Sequence, residues 1–151
     1  MSASFAGGLV AIVMSYISSD GKIEVLATIN GVLGSLVGIT AGCAVVTVFE
    51  SLIIGAIGSF LANITDPLLV YLRIDDAVGA TCVHGFAGAW GILSVGIFAA
   101  KDELENYCKY DGLLHGGGGY LLGVQMLTVL TMTIWAMLST LLMLSVSDMD
   151  T

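Results

Sequence analysis

The chain has 151 residues, 57% of them hydrophobic and 11% charged. Its mean hydropathy is +0.99. Soluble domains carry about 25% charged residues, and a chain this short could not hide so much apolar surface from water, which excludes an ordinary water-soluble domain. The formal net charge of −8 excludes the basic surface that nucleic acid selects.

The first apolar run, Ala3 to Ile17, lacks the basic flank of a cleaved signal peptide. It is also shorter than the ~20 residues of a spanning helix, so the chain is expected to begin part-way into a helix. Asp20-Gly21-Lys22-Ile23-Glu24 closes it, and Val25 to Phe49 then carries no charge. Ser51 to Leu72 is apolar apart from Asp66, which precedes Pro67, the single proline. Arg73-Ile74-Asp75-Asp76 is the next break, and Ala77 to Ala100 holds only His84 as an ionisable imidazole. A charged loop, Lys101 to Asp111, leads to a glycine run at 116–119 and a last apolar stretch. The predicted architecture is an all-α membrane protein with five spans, about 3–19, 26–47, 50–71, 77–100 and 120–144, with segments two and three joined by a tight turn near Thr47 to Glu50.

Five spans put the termini on opposite faces. Lys22 and Arg73 share one face and Lys101 and Lys109 the other, a tie under the positive-inside rule. Gly34, Gly38 and Gly42 recur every four residues, and Gly85, Gly88 and Gly91 every three. Small residues on one face let helices approach closely in lipid, so these glycines are predicted packing positions. The chain contains no internal repeat of the kind that builds many transporters.

His84 lies about two turns inside the fourth span, where an ionisable group faces a cavity or a partner rather than lipid. Two readings stand: a core histidine bonded to a backbone carbonyl, or a ring in a functional path. Helical spacing places Ala80, Gly88 and Gly91 on its face. Asp75 and Asp76 precede this helix and are predicted to cap it, with Arg73 as a pairing partner. Asn63-Ile64-Thr65 forms a glycosylation sequon close to the Arg73 face, which argues against its use. His115 is assigned to a solvated loop, and Trp90 and Trp135 to core packing. Cys43, Cys82 and Cys108 show no metal-ligand spacing; free, buried thiols are expected, with no metal and no cofactor. No acid lies within two turns of His84 inside its span, so an intramembrane enzyme is not expected.

Arg73-Ile74-Asp75-Asp76, then Val83-His84-Gly85-Phe86-Ala87-Gly88-Ala89-Trp90-Gly91 and Val95-Gly96-Ile97-Phe98-Ala99, resemble the ammonium transporter (Amt/Mep/Rh) family. Asn30-Gly31-Val32-Leu33, Gly38 to Cys43, Leu52 to Gly58, Gly123-Val124-Gln125 and Trp135 follow the same pattern, so the likeness covers almost the whole chain in order. The resemblance implies the last five of eleven spans of a plasma-membrane homotrimer with one hydrophobic pore per subunit. It implies ammonium or ammonia as substrate, with methylammonium as an analogue. The N-terminus of this piece would face outside, Arg73, Asp75 and the C-terminus would be cytoplasmic, and the Lys101–Asp111 loop outside. His84 would match the second of two pore histidines that lie ring to ring, with Ala80 lining the same pore. Six preceding spans, the first histidine, the outer recruitment site and the aromatic gate have no counterpart here. An alternative follows: a non-conducting fragment or isoform that assembles with full-length subunits and modulates them.

Overall fold

The computed structural model describes residues 1–101 and 107–147, and these are helical with no strand. The helices are α1 (Ser2–Ser18), α2 (Val25–Thr40), α3 (Val48–Tyr71), α4 (Ala87–Phe98) and α5 (Tyr120–Ser147). A π-helical segment, Thr81–Phe86, leads into α4, and a short 3₁₀ turn, Leu113–His115, precedes α5. Three of these segments, Val48–Tyr71, Thr81–Phe98 and Tyr120–Val146, are long and apolar enough to cross a bilayer; α1 and α2 are apolar but shorter. Asp102, Glu103 and Glu105 of the predicted charged loop, and the tail 148–151, lie outside the described residues.

α1, α2 and α3 pack against one another, α4 packs on α2 and α3, and α5 packs on α4. The seams are made of very small residues. A β-carbon placed on Gly34 would stand 2.9 Å from the carbonyl oxygen of Gly58, and one on Gly58 2.7 Å from that of Gly34. The two backbones are therefore in contact across the α2–α3 seam. On α1, Gly7 abuts Ser35, and Gly55 of α3 abuts the backbone of Ala3. Ile54 is the largest fully buried side chain, and the others of that class are Cys82 and four serines. Lipid tails are as apolar as leucine, so helices gain little by burying large apolar residues and associate through close backbone packing instead. The buried hydroxyls are satisfied inside the protein: Ser59 donates to the Gly7 carbonyl at 2.8 Å, Ser35 to Val32 and Ser94 to Gly91. Trp90 donates its indole N–H to the Ile54 carbonyl at 3.0 Å, tying α4 to α3.

The second span differs from expectation. Helical structure stops at Thr40, and residues 41–46 form a turn, so Gly42 is not a helix-face glycine; a β-carbon there would meet Val46 and Val95. The next helix sets this boundary. Thr47 accepts from the Glu50 amide, while the Glu50 carboxylate accepts from the Thr47 amide at 2.7 Å, a reciprocal capping box. The third span runs through Pro67 to Tyr71 without stopping at Asp66. It closes with Arg73 in the left-handed region at φ 58°, the Ile74 amide reaching the Leu69 carbonyl and the Arg73 amide that of Val70. That is the Schellman arrangement normally built on glycine.

α5 is unlike the rest: its spanning window buries none of its residues. Trp135 is 75% exposed, which corrects the assignment to core packing. The hydroxyls of Thr128, Thr131, Thr133 and Ser139 each donate to the carbonyl four residues back.

Candidate functional site

The fourth span begins with Asp76. Its carboxylate accepts from the amides of Ala80 at 2.9 Å, Thr81 at 2.8 Å and Cys82 at 3.4 Å. One side chain thus answers three of the orphan donors of a helix start. Among the described residues Asp75 makes no such bond and Arg73 pairs with neither acid, so the capping predicted for the two aspartates rests on Asp76 alone.

The first turns that follow are π-helical, and the Ala87 amide reaches back five residues to the Cys82 carbonyl. Such a turn carries an extra residue, so later side chains rotate away from the face that a 3.6-residue period predicts, and π turns occur frequently at functional sites. The effect on the candidate residues is direct. His84, Gly85, Gly88, Ala89 and Ile92 form one wall of a cleft, and Val129, Met132, Thr133 and Ala136 of α5 form the other, enclosing about 280 Å³. Gly91, expected on the His84 face, instead meets α2, where a β-carbon would stand 2.9 Å from the Gly38 carbonyl oxygen. Ala80 sits at the start of the π segment and is not part of the cleft.

His84 is exposed to this cleft. Among the described residues its ring takes part in no hydrogen bond, so the reading of a core histidine bonded to a carbonyl does not hold. Thr133 faces the same space but has committed its hydroxyl proton to the Val129 carbonyl at 2.7 Å. The imidazole is therefore the polar group on these walls with an uncommitted ring donor and acceptor.

Two features escaped the sequence reading. His115 is not merely solvated: its Nε2 lies 2.7 Å from Glu50 Oε1. The legible signal was Thr47-x-x-Glu50, a capping box that marks the start of α3 and fixes the carboxylate. Cys43, expected to be buried, is exposed in the turn after α2; Cys82 is buried and Cys108 half-buried, and all three are free. A second concavity of about 180 Å³ lies among Ser15, Glu24, Asn63, Asp66 and Pro67 where α1, α2 and α3 meet. Asn63 donates to the Ser59 carbonyl within α3, so the sequon is part of a helix. Among the described residues no three His, Cys, Asp or Glu side chains gather as a metal would need.

Residues 1–149 match the Ammonium Transporter Family. A putative ammonium transporter of Synechocystis sp. is 46% identical over 99 residues, covering 65% of this chain and 22% of that protein. Ammonium transporter Amt2 of Archaeoglobus fulgidus is 37% identical over 141 residues, covering 89% of this chain and 29% of that protein. The crystal structure of Saccharomyces cerevisiae Mep2 superposes with a TM-score of 0.80 at 26% identity, over 89% of this chain and 31% of that one. The chain thus spans 22% and 29% of the length of these two curated relatives. The described residues reproduce part of an all-helical membrane transporter fold, and the chain belongs to the ammonium transporter family.

Proposed function

We propose that this chain supplies part of a transmembrane path for ammonium, with His84 on the path. The observation that carries the proposal is the uncommitted His84 ring on an otherwise apolar cleft, within a chain whose length matches the family from residue 1 to residue 149. An ammonium ion is costly to move into a low-dielectric interior. A path that removes its proton at the entrance passes neutral ammonia. The His84 ring can both donate and accept a hydrogen bond on that path. In this reading the protein sits in the plasma membrane, assembles as a homotrimer, and places Asp75 and Asp76 at the cytoplasmic end of the fourth span and the N-terminus outside. Gly34, Gly38 and Gly91 hold the helices behind the cleft close together, while Gly88 lines the cleft itself.

A second reading has a specific observation in its favour: α5 buries no residue of its spanning window, and one side of the His84 cleft is open. Here the chain is a non-conducting subunit that completes itself against longer family members and modulates them.

Methylammonium uptake separates the two in cells lacking their own ammonium transporters. The first reading expects uptake when this chain replaces the matching segment of a longer family member, and its loss in His84→Ala at equal membrane abundance. The second expects no uptake alone and altered uptake when a longer family member is co-expressed. Uptake that His84→Ala leaves unchanged refutes the assignment of His84.

A further inference from the structure

His115 and Glu50 are 65 residues apart, yet they join at 2.7 Å. The carboxylate is shared. Oε2 accepts from the amide and the hydroxyl of Thr47, both at 2.7 Å, completing the cap of α3, and Oε1 meets the imidazole. Glu50 is 14% exposed and His115 33% exposed. The acid is thus sheltered from screening, while the ring stays within reach of solvent protons.

Among the described residues the joint is one of two hydrogen bonds that fasten the connection between α4 and α5 to the segment from the α2–α3 turn to the first turn of α3. The other is a backbone bond from the Ala100 amide to the Val45 carbonyl at 2.8 Å. The connection is also folded on itself: Gly112 donates to Ala99, Gly117 to Gly112, and the Lys101 amide to the Asp111 carboxylate. Two glycines, Gly116 at φ 86° and Gly118 at φ 66°, lie just beyond His115 and meet nothing nearby. A fixed point followed by two unhindered left-handed glycines is the layout of a hinged strap.

We propose that Glu50 and His115 form a proton-operated latch that holds the α4–α5 connection against the start of α3. An imidazole ordinarily titrates between about pH 5 and about pH 8. With the ring protonated the bond joins two opposite charges. A neutral ring keeps only an N–H to offer, so in that state the latch is weaker. α4 carries no ionisable side chain, the 41–47 turn carries only Cys43, and the nearby Asp111 carboxylate is occupied by the Lys101 amide. Among the described residues Glu50 is therefore the charge that answers the ring.

The test is amide hydrogen exchange of the chain in lipid nanodiscs between about pH 5.5 and about pH 8, corrected for intrinsic exchange and referenced to α5. Amides 112–119 are expected to be roughly threefold better protected at the acidic end. His115→Gln is expected to flatten this dependence. Glu50→Gln is expected to flatten it too while leaving the first turn of α3 protected, because glutamine also serves in a capping box. If Glu50→Gln instead frays α3, His115→Gln decides. Protection that is independent of pH in the unaltered chain, or a dependence that survives in His115→Gln, overturns the latch.

Discussion

Replacing Gly34 with alanine would force α2 away from α3. The added methyl would stand 2.6 Å from the Ala62 β-carbon and 2.9 Å from the Gly58 carbonyl oxygen, neither of which can swing aside. Ordinary carbon contacts begin near 3.5 Å, so the seam must open by several tenths of an ångström. Overpacking of this kind costs about 1–3 kcal/mol, against an intrinsic helix gain of about 1 kcal/mol on replacing glycine. The expected net is a loss of up to about 2 kcal/mol. Gly8→Ala is the internal control. Its methyl would meet Val32 at 3.7 Å, an ordinary contact, so the helix gain of up to about 1 kcal/mol should survive. The two variants should move in opposite directions on denaturation with SDS in lipid micelles, followed by helical circular dichroism. Gly34→Ala as resistant as the unaltered chain, or Gly8→Ala as damaging as Gly34→Ala, would refute the claim that the α2–α3 seam is packed to its limit.

Asp76→Ala removes the acceptor for three amides and should cost about 1–2 kcal/mol, read as faster hydrogen exchange at residues 80–82 than in Asp75→Ala, which should match the unaltered chain. Arg73→Gly relieves a side chain held at φ 58° and should raise the SDS midpoint, by an amount equivalent to about 0.5–1 kcal/mol; a lower midpoint would show that Arg73 makes a favourable contact. Trp90→Phe loses the bond to the Ile54 carbonyl and should cost about 1 kcal/mol. Because Asn63 is bound within α3 to Ser59, expression in glycosylating cells should give a product whose gel mobility is the same as that of Asn63→Gln.

The long uncharged runs were enough to place α5 and the fourth span, and an apolar run broken only by Asp66 placed α3, because charge is largely expelled from a bilayer helix and so punctuates it. The end of α2 could not be found that way. Residues 41–46 are as apolar as the helix before them, and what stops the helix is polar chemistry further on, the Thr47–Glu50 box and the Val45–Ala100 bond. The cleft was legible in part. His84 stood out as the ionisable group of its span, but its companions were chosen with a helical period of 3.6. The π turn at Thr81–Phe86 leaves no trace in hydropathy or glycine spacing, and it carries Gly91 to the α2 seam and leaves Ala80 behind. The opposite wall, with Thr133, comes from a helix more than 35 residues further along the chain, and no local pattern relates the two. His115 was assigned by its glycine-rich neighbours, whereas its partner was set by the cap of a distant helix.

The hydroxyls of α5 bear on how that helix is oriented about its own axis. Thr128, Thr131, Thr133 and Ser139 have each turned inward to a carbonyl of the same helix, so none offers a proton to a neighbour. A helix with free donors would be indexed by them, held at the rotation where each finds its acceptor. Those four hydroxyls give α5 no such keys. Shape holds it instead at Gly96 of α4, where the backbone of Leu122 comes so near that a β-carbon would stand 2.6 Å from its α-carbon. That notch near the start of α5 fixes the backbone two turns and more before Val129, Met132, Thr133 and Ala136, the side chains that face His84.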